Sequence, residues 1–161
     1  PAQELAKVTG EWTIRFLMLV LALTPLRHLT GITQFVRYRR MLGLFALFYA
    51  TIHLLVWMSF LLAFRWLAIG EELTERPYIT IGFIAYVILL ALGVTSPKAM
   101  VRRLGKNWKK LHQLVYVAGI LAVLHLLWIL RTDVWEAVLY GAVLAILLGF
   151  RFIRYLYLHR S

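Results

Sequence analysis

Five histidines stand in a sequence whose apolar stretches are otherwise almost free of ionisable side chains. Three of them, His53, His112 and His125, lie within or at the mouth of those stretches. An imidazole at membrane depth costs free energy, so it marks a functional site by default. The chemistry open to it there is metal ligation. His53 falls midway in Met41–Phe64, and His125 midway in Leu111–Leu130, which His112 opens. Two helices that each turn one imidazole inward at matched depth can grip a single haem iron from both sides.

The elements that must position these groups are membrane helices. The chain has 161 residues, 62% of them apolar, and a mean hydropathy of +0.78. A soluble domain is usually about 45–50% apolar. At about 20 residues per span, the apolar runs account for most of the chain and leave no soluble domain of useful size. Five spans read out: Trp12–Leu29, with Pro25 set to kink or end it, then Met41–Phe64, Tyr78–Thr95, Leu111–Leu130 and Trp135–Ile153. The connections are Thr30–Arg40, Arg65–Pro77, Ser96–Lys110 and Arg131–Val134. No internal repeat or low-complexity stretch is evident. The expected fold is all-α: one polytopic transmembrane helical bundle over residues 1–161.

Composition removes several chemistries. Cysteine is absent, which excludes iron–sulfur clusters, disulfides, thiolate catalysis and covalent haem attachment. Any haem here is therefore a non-covalent haem b. There is no Gly-rich phosphate loop, nucleophile elbow or His-Glu-x-x-His motif. No acidic residue lies midway along any of the five spans, where a proton pump or cation transporter usually places one; Glu136 stands at the mouth of the fifth. The opening segment lacks the cleavage site of a signal peptide.

The net charge of +11 is distributed by side. One side carries Arg27, Arg37, Arg39, Arg40, Lys98, Arg102, Arg103, Lys106, Lys109, Lys110, Arg151, Arg154 and Arg160. The other carries Lys7, Arg15, Arg65, Arg76 and Arg131 together with every acid: Glu4, Glu11, Glu71, Glu72, Glu75, Asp133 and Glu136. The positive-inside rule makes the first side cytoplasmic. The basic clusters answer to topology and anionic lipid, and no nucleic acid is needed to explain them.

In this topology the second and fourth spans run in the same direction, so depth can be counted along them. His53 lies thirteen residues beyond Arg40 and His125 fifteen beyond Lys110. Both come to roughly 20–22 Å from the inner edge. His112 stays near the cytoplasmic face. Its thirteen-residue separation from His125 leaves the two about 140° from eclipsed on an ideal helix. Small residues stand one and two turns below each of the level histidines: Ala50 and Ala46 beside Tyr49, and Ala122 and Ala118 beside Leu121. They leave either a slot for a macrocycle or room for close helix packing. Trp57 and Trp128, one turn beyond, are placed to cover a haem edge or to pack. His28 and His159 fall at the cytoplasmic end. An inner partner for His112 is expected near Arg39, so an inner site is incomplete unless Arg39, His28 or an external ligand completes it.

Several stretches carry a resemblance beyond the histidines. They are Thr24-Pro25-Leu26-Arg27, Arg40-Met41-Leu42-Gly43-Leu44, Arg76-Pro77-Tyr78-Ile79-Thr80, Leu104 through His112, Thr51-Ile52-His53-Leu54 and Leu124-His125-Leu126. With them the chain resembles the haem-binding membrane subunits of bacterial periplasmic methionine sulfoxide reductase systems, within the ferric-reductase-like transmembrane superfamily. The resemblance implies a haem-ligating set of His53, His112 and His125, with one haem b expected and a second plausible through His112. It implies a multi-pass protein of the bacterial inner membrane, with basic loops and C-terminus cytoplasmic. Electrons would pass from a cytosolic flavin reductase or from quinone to a periplasmic molybdopterin-containing methionine sulfoxide reductase subunit. Flavin mononucleotide (FMN) is associated with the family, and its binding residues are not placed. Family members carry a further helix upstream, for six in all. No substrate-catalytic residue is visible. The alternatives are a transmembrane ferric reductase, a metal-ion permease that uses the histidines as its site, and a membrane scaffold.

Overall fold

A computed structural model describes residues 1–130 and 134–160. Most of the Arg131–Val134 connection, with the charges of Arg131 and Asp133, lies outside the described residues. So does the Arg160 side chain.

Long apolar runs with no water to satisfy their backbone must become helices, and every described regular element is helical. The order is α1 (Ala2–Thr30), α2 (Phe35–Val56) continued by a π turn (Trp57–Leu61), α3 (Ala68–Glu75), α4 (Pro77–Val94), α5 (Lys98–Leu104), α6 (Lys106–His112), α7 (Leu114–Ile129) and α8 (Trp135–Arg160). Five of these stretches are long and apolar enough to cross a membrane: Ala2–Thr30, Phe35–Leu61, Pro77–Val94, Lys106–Ile129 and Trp135–His159. The five expected spans are all present, with shifted ends.

The largest shifts are in α1. It begins at Ala2 rather than Trp12, and Pro25 does not end it. The helix stops only at Gly31, whose φ of 73° supplies a left-handed cap with its N–H on the Arg27 carbonyl. Proline has no N–H to give the carbonyl four residues back. That carbonyl, on Leu21, instead accepts from Arg151 Nη2 of α8 at 2.6 Å. A 29-residue helix is about 43 Å long against a hydrocarbon core of about 30 Å, so its first turns stand in the headgroup region. The longer α1 also brings acidic residues onto a spanning helix. Glu4 and Glu11 lie on α1 and Glu136 on α8. Glu11 is held by Arg15 at 3.1 Å and Lys7 at 3.8 Å.

Two helix pairs form the bulk of the bundle: α1 against α2, and α4 against α7. Their shared core gathers Ile14, Leu17, Met18 and Leu21 of α1, Ala50 of α2, Leu89 and Leu92 of α4, and Val115 and Ala118 of α7. Leu144 and Leu147 of α8 close it. Outward positions such as Leu19, Leu55, Ile84, Val87, Leu127 and Ile146 remain exposed, as lipid-facing residues do. Past the π turn, Ala63 and Phe64 both take positive φ (51° and 57°), which turns the chain sharply into α3.

Candidate haem-ligating site

His53 of α2 and His125 of α7 meet in the interior. Their ring centres are 6.2 Å apart and their planes are perpendicular. The matched depths counted from the sequence are therefore realised as a pair of adjacent rings. One metal atom bonded to two imidazoles at about 2 Å each leaves ring centres roughly 6 Å apart, so the residues present fit a bis-histidine metal.

Each ring is oriented by the helix packed behind it. His53 Nδ1–H donates to the Ala6 carbonyl of α1 at 2.8 Å, with the Thr9 hydroxyl at 3.5 Å. His125 Nδ1–H donates to the Tyr78 carbonyl of α4 at 2.6 Å. A ring nitrogen that donates to a carbonyl carries the proton, which leaves Nε2 as the unprotonated, ligating nitrogen. Both histidines thus hold the tautomer that metal ligation needs.

Glycine makes this approach feasible. A Cβ on Gly82 would stand 2.7 Å from both Cε1 and Nδ1 of His125. A Cβ on Gly10 would stand 3.2 Å from the same two atoms of His53. In each case the carbonyl that accepts from Nδ1 lies one turn before the glycine, on the same face.

The two half-sites share one spacing. Each histidine follows its carbonyl partner by 47 residues. The pairs Gly10 and Gly82, Leu17 and Leu89, Pro25 and Pro97, Ala46 and Ala118, Ala50 and Ala122, and His53 and His125 all share one spacing. No repeat is evident in the sequence because identity at this spacing is sparse and scattered. That spacing, measured from the two histidines, is the signal that would have pointed to Gly10 and Gly82.

Ala46, Ala50 and Ala118 are buried, the last two within the core cluster. Trp57 opens the π turn directly after the His53 helix, and π turns recur at functional sites. Trp128 is partly exposed on the outside of the bundle.

His112 stands apart from this pair. It lies on α6 beneath Trp108, ring centres 3.9 Å apart and nearly parallel. The Thr95 hydroxyl donates to the Ala91 carbonyl at 2.7 Å, so its oxygen is left to accept from His112 Nε2 at 3.1 Å. Trp108 Nε1 donates to the Thr95 carbonyl at 2.8 Å and closes the cluster. Arg39 is near enough to act on it electrostatically. In the outer pair Nε2 is the nitrogen not committed to a carbonyl, and here it is occupied. His28 is exposed at the end of α1, and His159 bonds only the Tyr155 carbonyl of its own helix. Among the described residues no group of three or more His, Asp or Glu side chains gathers to hold a metal ion.

The model of a family described as the ferric reductase like transmembrane component matches residues 9–124. The chain belongs to this family. The matched stretch runs from α1 into α7 and ends one residue before His125. Curated relatives extend the likeness. A Xanthomonas oryzae pv. oryzae protein named protein-methionine-sulfoxide reductase heme-binding subunit MsrQ is 48% identical over 151 residues, which is 94% of this chain and 69% of the relative. A Xanthomonas campestris pv. campestris protein of the same name is 47% identical over the same shares. One from Bordetella pertussis is 44% identical over 153 residues, 94% of this chain and 74% of its own length.

Proposed function

We propose that this chain is a b-type haem electron carrier of the bacterial inner membrane. In this reading it takes electrons from a cytoplasmic flavin reductase or from quinone. It delivers them to a periplasmic molybdopterin-containing enzyme that reduces methionine sulfoxide in proteins. The observation that carries the reading is the His53–His125 pair: two imidazoles 6.2 Å apart, each with Nδ1 committed to a carbonyl. The relatives named as haem-binding MsrQ subunits support both the cofactor and the partner system.

A bound haem supplies a one-electron couple. The chain's residues do the rest. His53 and His125 hold the iron, and the carbonyls of Ala6 and Tyr78 fix their tautomer and raise their basicity. The leucine-rich core beneath them excludes water, and burial is one of the levers on potential. The basic end of the bundle, from Arg37 to Arg40 and Lys98 to Lys110, faces the cytoplasm and suits an acidic donor surface. His112 with Arg39 marks an inner position. A second haem or FMN there would have to displace the bond to Thr95. No side chain at the pair is equipped for substrate chemistry, so catalysis belongs to the partner enzyme.

The test is purification from cells supplied with haem, followed by a pyridine haemochrome assay for haem per chain. A Soret band that shifts on reduction is expected. Wild-type protein that remains free of haem would sink the reading.

A further inference from the structure

The haem reading names the ligands but leaves open what sets their orientation. Ring planes of axial imidazoles matter chemically. Parallel planes split the two iron dπ orbitals, whereas crossed planes leave them nearly equal in energy. A ferric centre with crossed planes gives a strongly anisotropic low-spin magnetic signal and accepts an electron more readily.

Here the rings are crossed at 90°, and the cause lies in α1 and α4. Two constraints act on each imidazole. A main-chain carbonyl fixes the direction of Nδ1–H, and a glycine one turn later lets the Cε1–Nδ1 edge lie against bare backbone. A bond alone permits the ring to swing about the N–H axis. The flat backbone surface beside it removes that freedom. Because the same device occurs twice at one sequence spacing, each histidine takes its plane from its own hairpin rather than from the partner ring.

We propose that Gly10 and Gly82 are positioning residues that set the two imidazole planes crossed and thereby fix the magnetic type and potential of the haem. This rests on the haem reading above. The two glycines act with unequal force. At Gly82 an added methyl would come within 2.7 Å of the ring, which no real contact tolerates, so His125 must turn or withdraw. At Gly10 the contact would be 3.2 Å, and the ring need give by only a few tenths of an ångström.

The experiment compares wild type, Gly10→Ala, Gly82→Ala and Gly43→Ala as full chains in detergent. Gly43 has no atom within 4 Å of an added Cβ and serves as the control. Haem content, low-temperature electron paramagnetic resonance and redox titration are read on each. The wild type should show the strongly anisotropic low-spin signal. Gly10→Ala should retain haem, with its signal moved toward the rhombic type and its potential lowered. Gly82→Ala should move further in the same sense or lose haem, and Gly43→Ala should match wild type. If Gly82→Ala fails to fold, Gly10→Ala decides. A rhombic wild-type signal overturns the proposal, as does a Gly10→Ala protein with full haem and an unchanged signal and potential. Wild-type protein without haem overturns the underlying reading as well, and that outcome is distinct from the other two.

Discussion

Arg151 Nη2 of α8 donates to the Leu21 carbonyl of α1 at 2.6 Å, the acceptor that Pro25 leaves without a helical partner. Nη1 of the same guanidinium donates to Leu147, and its carbon lies 5.1 Å from the Tyr116 ring centre. One side chain therefore ties α1, α7 and α8 together at the basic end of the bundle.

Arg151→Met should leave that carbonyl unsatisfied and cost roughly 1–3 kcal/mol. Pro25→Ala restores an N–H four residues after Leu21. The double variant should therefore lose clearly less stability than the two single losses added together. Thermal unfolding in detergent across the four proteins measures the coupling, and strict additivity would refute the link.

His53→Ala and His125→Ala should each abolish the haem, because one imidazole leaves half the ligation. His112→Ala should spare it, since that ring sits with Thr95 and Trp108 and not with the pair. Pyridine haemochrome stoichiometry on the three variants separates the cases. Equal loss in all three would contradict the separation of the two clusters.

Thr95→Val removes the acceptor of His112 Nε2 and leaves the outer pair untouched. The expected result is an unchanged Soret position and haem content. A large drop in the haem held by the pair would mean that the inner cluster supports the outer one.

Topology is open to direct labelling, because the chain has no native cysteine. Thr74→Cys, on α3, should react in intact cells with a membrane-impermeant maleimide once the outer membrane is made permeable. Ser96→Cys should react only after lysis. The reverse pattern would invert the bundle and move the pair toward the cytoplasm.

Much of this architecture is legible in the residues. Apolar length alone locates five spans, and counting from Arg40 and Lys110 puts His53 and His125 at one depth. The ends were less legible. Pro25 reads as a kink or an end because sequence does not reveal that Arg151, 126 positions away, meets the Leu21 carbonyl that the proline orphans. Glu11 reads as a flank because the reach of α1 into the headgroup region depends on its own ion pairs with Lys7 and Arg15. The orienting groups were hidden for another reason. Ala6 and Tyr78 act through main-chain carbonyls, which any side chain can carry, and Gly10 and Gly82 act by what they lack.

The equal 47-residue interval between each carbonyl and its histidine also bears on how the protein is made. A ribosome delivers α1 to the membrane before α2, and α4 before α7. Each imidazole thus emerges to find its anchor already inserted, and each hairpin is a complete half-site at birth. Neither half can hold iron from both sides alone. On the proposed haem reading, cofactor capture would wait for both halves to be inserted and joined.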